Sequence, residues 1–403
     1  LTAGYLLNRR HEVTLFEKSD RLGGNAYTYT TGDGLDVDMA VAAFGMAGSK
    51  KFARLISELK LKTRRIERPG ICYHNLVTGR GLYATLHLKG LIAQRFAILK
   101  PGMIKEGFNL RKGLSTAKRM LDEGRLEGKT VEECMAVIPQ LKGYARLILV
   151  FTLSLAASMH VDQVMSAPAE FFIRKIKIHN DFISPKIFFS VRAMANKTRS
   201  YVEALALGFR DRVALNSEIK TVARERNGVS IVLNNGRSIA FDKVVCACNA
   251  DQALRLLEKP TAEEKNLLGA WRYNEGKVVL HKDYSSFPPW DLIGTFTFLY
   301  TDRGGSLRTS MNGSVRYEPG VPKDCPLIGS QYPNFPIRKK LVETEKVFRT
   351  PIFDFNSCAT IKMLPSLNGI MNTYYCGSHF GYGLHEDGVA SAIDVAGMLG
   401  VDF

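Results

Sequence analysis

The chain has 403 residues, more than a single hydrophobic core usually organises, so two domains are expected. Its apolar share of 45% and the absence of a long low-complexity tract exclude a disordered chain. Lys and Arg number 55 against 39 Asp and Glu, and the net charge of +16 favours an anionic partner; no zinc-finger, RRM or helix-turn-helix pattern accompanies it, which argues against nucleic acid.

Leu1 to Leu7 reads as the inside of a helix, and His11 to Glu17 as a buried strand that ends in an acid. A dinucleotide-binding unit runs strand, G-x-G-x-x-G turn, helix, second strand, with an acid about 20 positions after the turn that bonds the ribose hydroxyls. Here the helix, the strand and the acid are present, and the first strand with its glycine turn is not. In a doubly wound sheet that strand is central, so its two neighbours are expected to face each other with unpaired N–H and C=O groups.

Arg21-Leu22-Gly23-Gly24 follows, and its paired glycines permit positive φ, either against a ligand or in an ordinary turn. Ala26 to Thr31, Gly32-Asp33-Gly34 and Leu35 to Asp38 predict a hairpin, and Phe52 to Leu61 repeats apolar residues at helical spacing.

From Tyr83 to Met159 the pattern turns helical, with breaks at Pro101-Gly102 and Ile138-Pro139. Leu86 to Met120 sets Lys89, Arg95, Lys100, Lys105, Arg111, Lys112, Lys118 and Arg119 among Leu86, Leu88, Leu91, Ile92, Phe96, Ile98 and Leu99. This is either a solvated helix face or an amphipathic surface for peripheral membrane contact. Leu147 to Met159 is shorter than the ~20 residues of a membrane span, and reads as a buried helix.

Tyr201 to Leu207 is helical in pattern. Val213 to Ile219, Val229 to Leu233 and Ser238 to Phe241 read as short strands, with a turn at Asn234-Asn235-Gly236. Asp242 to Cys248 is a near-continuous apolar run, the pattern of a parallel strand covered on both faces, and Asn249 or Asp251 can cap the helix after it. Lys277 to His281, Thr295 to Tyr300 and Leu307 to Met311 predict strands of a second sheet. Asn372 to Gly377 reads as strand to turn and Gly388 to Leu399 as a helix; between them, closely spaced glycines place N–H groups where an anion or carbonyl can meet them. Seven cysteines without a C-x-x-C pair suggest reduced thiols in a cytoplasmic setting, with membrane association as the second reading, and no metal site.

Taken together, Leu1-Thr2-Ala3, Glu17, Arg21-Leu22-Gly23-Gly24, Val213 to Leu257 and Tyr375 to Gly397 resemble the FAD-dependent amine oxidase and phytoene desaturase superfamily. More narrowly, Gly381-Tyr382-Gly383-Leu384-His385-Glu386-Asp387-Gly388 is similar to predicted NAD/FAD-binding proteins whose genes neighbour cyclopropane fatty acid synthases. The resemblance implies an α/β fold: a Rossmann-like FAD-binding domain lacking its first strand (1–66, 205–260 and 368–403) and an α+β substrate domain (67–204 and 261–367). In that register Leu1 directly follows the third glycine of the fingerprint, so the chain reads as truncated there.

The resemblance assigns cofactor contacts to Glu17, Arg21, Gly23, Gly24, Ile219, Gly377, Ser378, Glu386, Asp387 and Gly388. Ser378 stands where the family commonly has an acid, Ala40 where a glycine is expected, and Met194 to Lys197 where a glycine pair is usual. His379, Tyr382 and His385 are the candidates for proton handling, although a histidine in a glycine-rich loop is more often a structural hydrogen-bonder. His281 reads as a satisfied core histidine, and Trp271 and Trp290 as packing residues. The expected function is FAD-dependent oxidation or reduction of a small apolar substrate such as a modified or unsaturated acyl chain. An amine oxidase and a non-catalytic homologue without flavin are the alternatives.

Overall fold

The computed structural model describes residues 1–40, 43–45, 48–66, 70–84, 88–93, 99–179 and 191–403. Its largest sheet has seven strands in the order Val342–Ile352, Arg272–His281, Ile328–Gln331, Ser306–Ser314, Phe296–Arg303, Ile71–Asn75 and Gly81–Ala84. Phe296–Arg303 runs parallel to Ile71–Asn75, and every other neighbouring pair is antiparallel. Strands from 71–84 and 272–352 thus meet in one sheet, whereas Val191–Met194 pairs with Phe44–Gly45 and Thr63–Arg65 in a separate one.

Helices Pro101–Asp122, Gly143–Ala157 and Ala169–Ile178 pack beside this sheet. The stretch expected to form a buried helix does so: Leu149, Val150, Phe151 and Leu153 are buried in Gly143–Ala157, and the Phe151 ring stacks 5.8 Å from Tyr73 and 5.4 Å from Phe298. Among the described residues no helix is long and apolar enough to cross a membrane. Pro101-Gly102 breaks the helical pattern by opening a new helix, Pro101–Asp122, because a proline at the first helical position forfeits only an N–H that has no helical partner. Of the basic-apolar run, Leu86, Arg95, Phe96 and Ile98 lie outside the described residues.

Among the remaining segments, four short strands make two parallel pairs, Leu15–Phe16 with Val213–Ala214 and Val244–Cys246 with Thr373–Tyr375. Leu6, Leu7, Val13, Val245 and Ala396 share one apolar layer beneath them, yet no ladder joins the pairs among the described residues. That is the arrangement expected of a doubly wound sheet with no strand at its centre. Helices Thr2–Leu7 and His385–Met398 pack on each other over this layer.

The hairpin read from 229–241 is part of a three-stranded antiparallel sheet, Ile219–Glu225, Gly228–Leu233 and Ser238–Phe241. It is tied to the parallel pairs by a buried ion pair: Arg224 donates to Glu264, and the Tyr375 hydroxyl donates to the same carboxylate at 2.6 Å. The C-terminal helix begins at His385, three residues before the expected Gly388. Leu384 N–H donates to the Asp387 carboxylate at 2.8 Å, and acids in a first helical turn are favoured by the helix dipole. Glu386 and Asp387 are consequently helix residues rather than loop residues.

Candidate functional site

Glu17 follows its strand and is stitched to the neighbouring one: its N–H donates to Ala214 O and its carbonyl accepts from Ser217 N–H, each at 2.9 Å. One carboxylate oxygen accepts the Ser19 N–H at 2.9 Å, and the other bonds to no described residue, which leaves an acceptor for a diol. Ile219 starts the adjoining strand, paired with Leu233, a short way along the chain from this junction.

The 21–26 loop turns through Gly23 at φ +103° and Gly24 at φ +56°. A Cβ on Gly23 would strike Ala26 O at 2.5 Å and Val202 Cγ2 at 3.0 Å, so only glycine fits there. A Cβ on Gly24 would meet nothing within 4 Å. Arg21 clips the loop internally, donating to Gly24 O at 2.8 Å and Leu22 O at 3.2 Å while its guanidinium lies 4.1 Å from the Tyr27 ring centroid.

The hairpin beyond it ends in a buried carboxylate. Asp38 accepts from Thr28 Oγ1 at 2.6 Å, Thr198 Oγ1 at 2.8 Å and Thr198 N–H at 3.1 Å, fastening the hairpin to the start of helix Arg199–Ala206. Burial raises its pKa against these hydrogen bonds. Next to Thr198, Lys197 adopts φ +60°, the left-handed backbone suited to the glycine expected in this stretch. Its ammonium donates to Glu318 at 2.7 Å and Pro319 O at 3.2 Å, which compensates the backbone cost. Burial pushes the Glu318 carboxyl up to about 7, and Lys197 opposes the shift.

Asp38 and Glu318 stand in the wall of a cavity that also takes in Asn25, Met39 and Ala40 on one side and Leu280, Phe298 and Phe348 of the large sheet on the other. Its lining is mostly apolar, which is the setting in which a few fixed polar groups orient a ligand.

The glycine-rich C-terminal turn is built differently. Gly377 N–H donates to Ser391 Oγ at 3.0 Å, while the Ser378 carbonyl accepts from Gly381 N–H at 3.2 Å and Gly383 N–H at 3.1 Å. The Ser378 hydroxyl bonds to no described residue. A Cβ on Gly388 would meet nothing closer than Ser378 N at 3.9 Å. The Glu386 carboxylate spans to another helix, accepting Lys51 N–H at 2.9 Å and Phe52 N–H at 2.8 Å, so it caps helix Lys50–Glu58.

The three side chains named for proton handling are not gathered at one point, and none lines the cavity. His379 is buried against Trp271 and Phe380, its Nε2 has no partner, and burial lowers its pKa to about 4. His385 stacks 4.8 Å from the Phe52 ring, meets the Tyr201 hydroxyl at 3.1 Å, and is likewise held at about 4. Tyr382 lies on Phe171 and His179, and burial raises its hydroxyl.

Beneath this turn lies a residue the sequence reading did not name. Lys175 is fully buried and donates to Tyr382 O at 2.7 Å and Ala156 O at 2.8 Å; burial lowers its pKa to about 8 against the pull of Asp387. The signal was its place among Phe171, Phe172 and Ile176, where i, i+3 and i+4 spacing puts position 175 on the apolar stripe of its helix. His281 is the satisfied core histidine expected: Nδ1 accepts from Asp283 N–H at 3.1 Å, leaving Nε2 to donate to Ser330 Oγ at 2.7 Å. Trp271 is buried and donates to Thr360 Oγ1, and Trp290 carries Arg316 3.9 Å over its ring. Among the described residues no cluster of His, Cys, Asp and Glu could hold a metal ion.

These residues fit FAD. Glu17 has a spare carboxylate oxygen for the ribose, Gly24 and Gly388 leave open space beside the backbone on the two turns, and helix His385–Met398 presents its N-terminus to the same region. A nucleotide seat in the α/β layer beside an apolar cavity on a mixed sheet is the architecture of a flavin-dependent oxidoreductase. The chain belongs to the flavin-containing amine oxidoreductase family, whose model matches residues 1–320. No curated protein matches the sequence.

Among solved structures, a fatty acid isomerase from P. acnes that produces CLA superposes with a TM-score of 0.68 at 14% identity, covering 99% of this chain and 96% of that one. Cyclohexylamine oxidase from Brevibacterium oxydans IH-35A gives 0.67 at 13% identity, covering 99% and 97%. A putrescine oxidase variant gives 0.69 at 12% identity, covering 99% and 96%. These likenesses establish the shared fold, and FAD is the family's cofactor.

Proposed function

We propose that the chain is an FAD-dependent oxidoreductase whose substrate is an apolar, unsaturated or modified acyl chain. The observation that carries this is the cavity: Leu280, Phe298, Met311 and Phe348 dominate its wall, and its two carboxylates, Asp38 and Glu318, are already committed to Thr198 and Lys197. Such a wall excludes water and gives a methylene chain contact along its length, while presenting no uncommitted charge. When bound, FAD supplies a two-electron acceptor and donor. Glu17 would hold its ribose, and Gly24 and Gly388 would give it room.

Glu318 supports a second reading. With its pKa raised to about 7, it can hold or release a proton at the cavity wall near neutral pH, as deprotonation of an amine substrate would require. Incubating the flavin-loaded protein with a panel of unsaturated fatty acids and a panel of alkylamines, with products analysed by mass spectrometry, separates the two. Desaturated, saturated or double-bond-shifted acyl products support the first reading; aldehydes from the amines alone would replace it with the second.

A further inference from the structure

Helix Pro101–Asp122 changes character along its length. Its C-terminal half buries Leu114, Ala117, Met120 and Leu121. Its N-terminal half turns Ile104 and Phe108, 47% and 66% exposed, to solvent one helical turn apart. Leu99, just before the helix, is 57% exposed. Lys100, Lys105, Arg111 and Lys112 stand exposed on the same stretch, and none is in an ion pair among the described residues. The acid within the stretch, Glu106, is turned inward, where it accepts Ala145 N–H at 3.0 Å and Asn109 Nδ2 at 3.4 Å.

The other end of the same helical layer neutralises its cations. Arg119 and Arg125 meet Glu123 at 3.8 and 3.2 Å, Lys177 meets Asp122 at 2.5 Å, and Arg174 meets Glu170 at 2.6 Å. Exposed apolar side chains and unpaired cations thus coincide at one end.

From this coincidence we infer that the Leu99–Ile104–Phe108 surface is a docking face for an anionic phospholipid bilayer. Acyl-level insertion of the three apolar side chains would leave the four cations at headgroup depth, against lipid phosphates. A protein partner fits less well, because lysine is depleted at protein–protein interfaces whereas here Lys100, Lys105, Arg111 and Lys112 stand within thirteen consecutive residues, 100–112. The inference is independent of the reaction proposed above, since no residue of this face lines the cavity.

Sedimentation of the purified protein with vesicles of phosphatidylcholine, and of phosphatidylcholine mixed with phosphatidylglycerol, tests it. Binding is expected to the mixed vesicles and to fall as salt is raised. The double variant Lys105→Glu/Lys112→Glu should weaken that binding by about tenfold or more, given about fivefold per cation. Ile104→Ser/Phe108→Ser should weaken it by about tenfold or more through lost apolar insertion. Arg119→Glu, at the paired end, should leave it unchanged. All these positions are exposed, so circular dichroism should show the parent fold in each. Absence of binding to the mixed vesicles, equal binding to both vesicle types, or binding that survives both double variants would overturn the inference.

Discussion

The two glycine-rich turns of the nucleotide seat are held by opposite means. The 21–26 loop is clipped from within by a half-exposed arginine that bonds its own carbonyls. The 377–388 turn is packed between aromatic rings and anchored from below by a buried ammonium on the Tyr382 carbonyl. The first turn reaches a neighbouring strand through a side chain, Asn25 Nδ2 to Arg349 O at 2.8 Å, whereas the second is joined to the helical layer through the buried Lys175, so loosening the second costs more of the global stability.

Replacing the deeper anchor should have the largest effect. Lys175→Met leaves the Ala156 and Tyr382 carbonyls without their donor, at about 1–3 kcal/mol each, so urea denaturation should show a loss of about 3 kcal/mol. A loss no greater than that of the loop arginine would erase the contrast. The buried ammonium also has a pH signature. Its folded pKa of about 8 lies below its unfolded value, so the unfolded state binds the extra proton and stability should rise with pH from about 8 towards 10.5.

The aromatic packing makes a prediction of similar size at acid pH. His379 is held at about 4 by burial, so the unfolded state takes up its proton first, and as pH falls from 6.5 to 4 stability should drop by up to about 3 kcal/mol on this account alone. His379→Phe should show a shallower acid loss in thermal melts; an unchanged slope would mean that this ring is reached by water. Arg21→Met, by contrast, should cost only about 1 kcal/mol, because the freed carbonyls can be hydrated, and should lower retained flavin more than it lowers the melting temperature. Smallest of all, Arg174→Ala at an exposed i, i+4 pair should change stability by no more than about 0.5 kcal/mol in the same denaturation assay.

What the sequence made legible follows from the physics of each signal. Backbone requirements were readable: Gly23 tolerates no Cβ, and the apolar run around Val244–Cys246 is a parallel strand because both of its faces are covered. The hairpin at 28–38 and the buried helix at 143–157 were equally clear, since their periods are local. Long-range commitments were not. Nothing local distinguishes Glu386, which caps a helix more than 300 positions earlier, from an acid waiting for a cofactor. Val342–Ile352 went unread as a strand because Lys346 and Val347 put a charge and an apolar side chain on the wrong faces of the alternation set by Val342, Phe348 and Ile352, and pairing with Arg272–His281 sustains it. The site's charges were hidden for the same reason: Lys197 and Glu318 are 121 positions apart, and only the fold brings them into an ion pair.

The most direct test of the central claim is an anaerobic titration of the flavin-loaded protein, followed by its visible absorbance, first with an unsaturated fatty acid and then with an alkylamine. The account predicts that the fatty acid, and not the amine, perturbs or bleaches the flavin bands, and that Phe298→Asp in the cavity wall abolishes the response while the protein keeps its flavin. Bleaching by the amine alone, or a protein that is folded yet takes up no flavin, would contradict it.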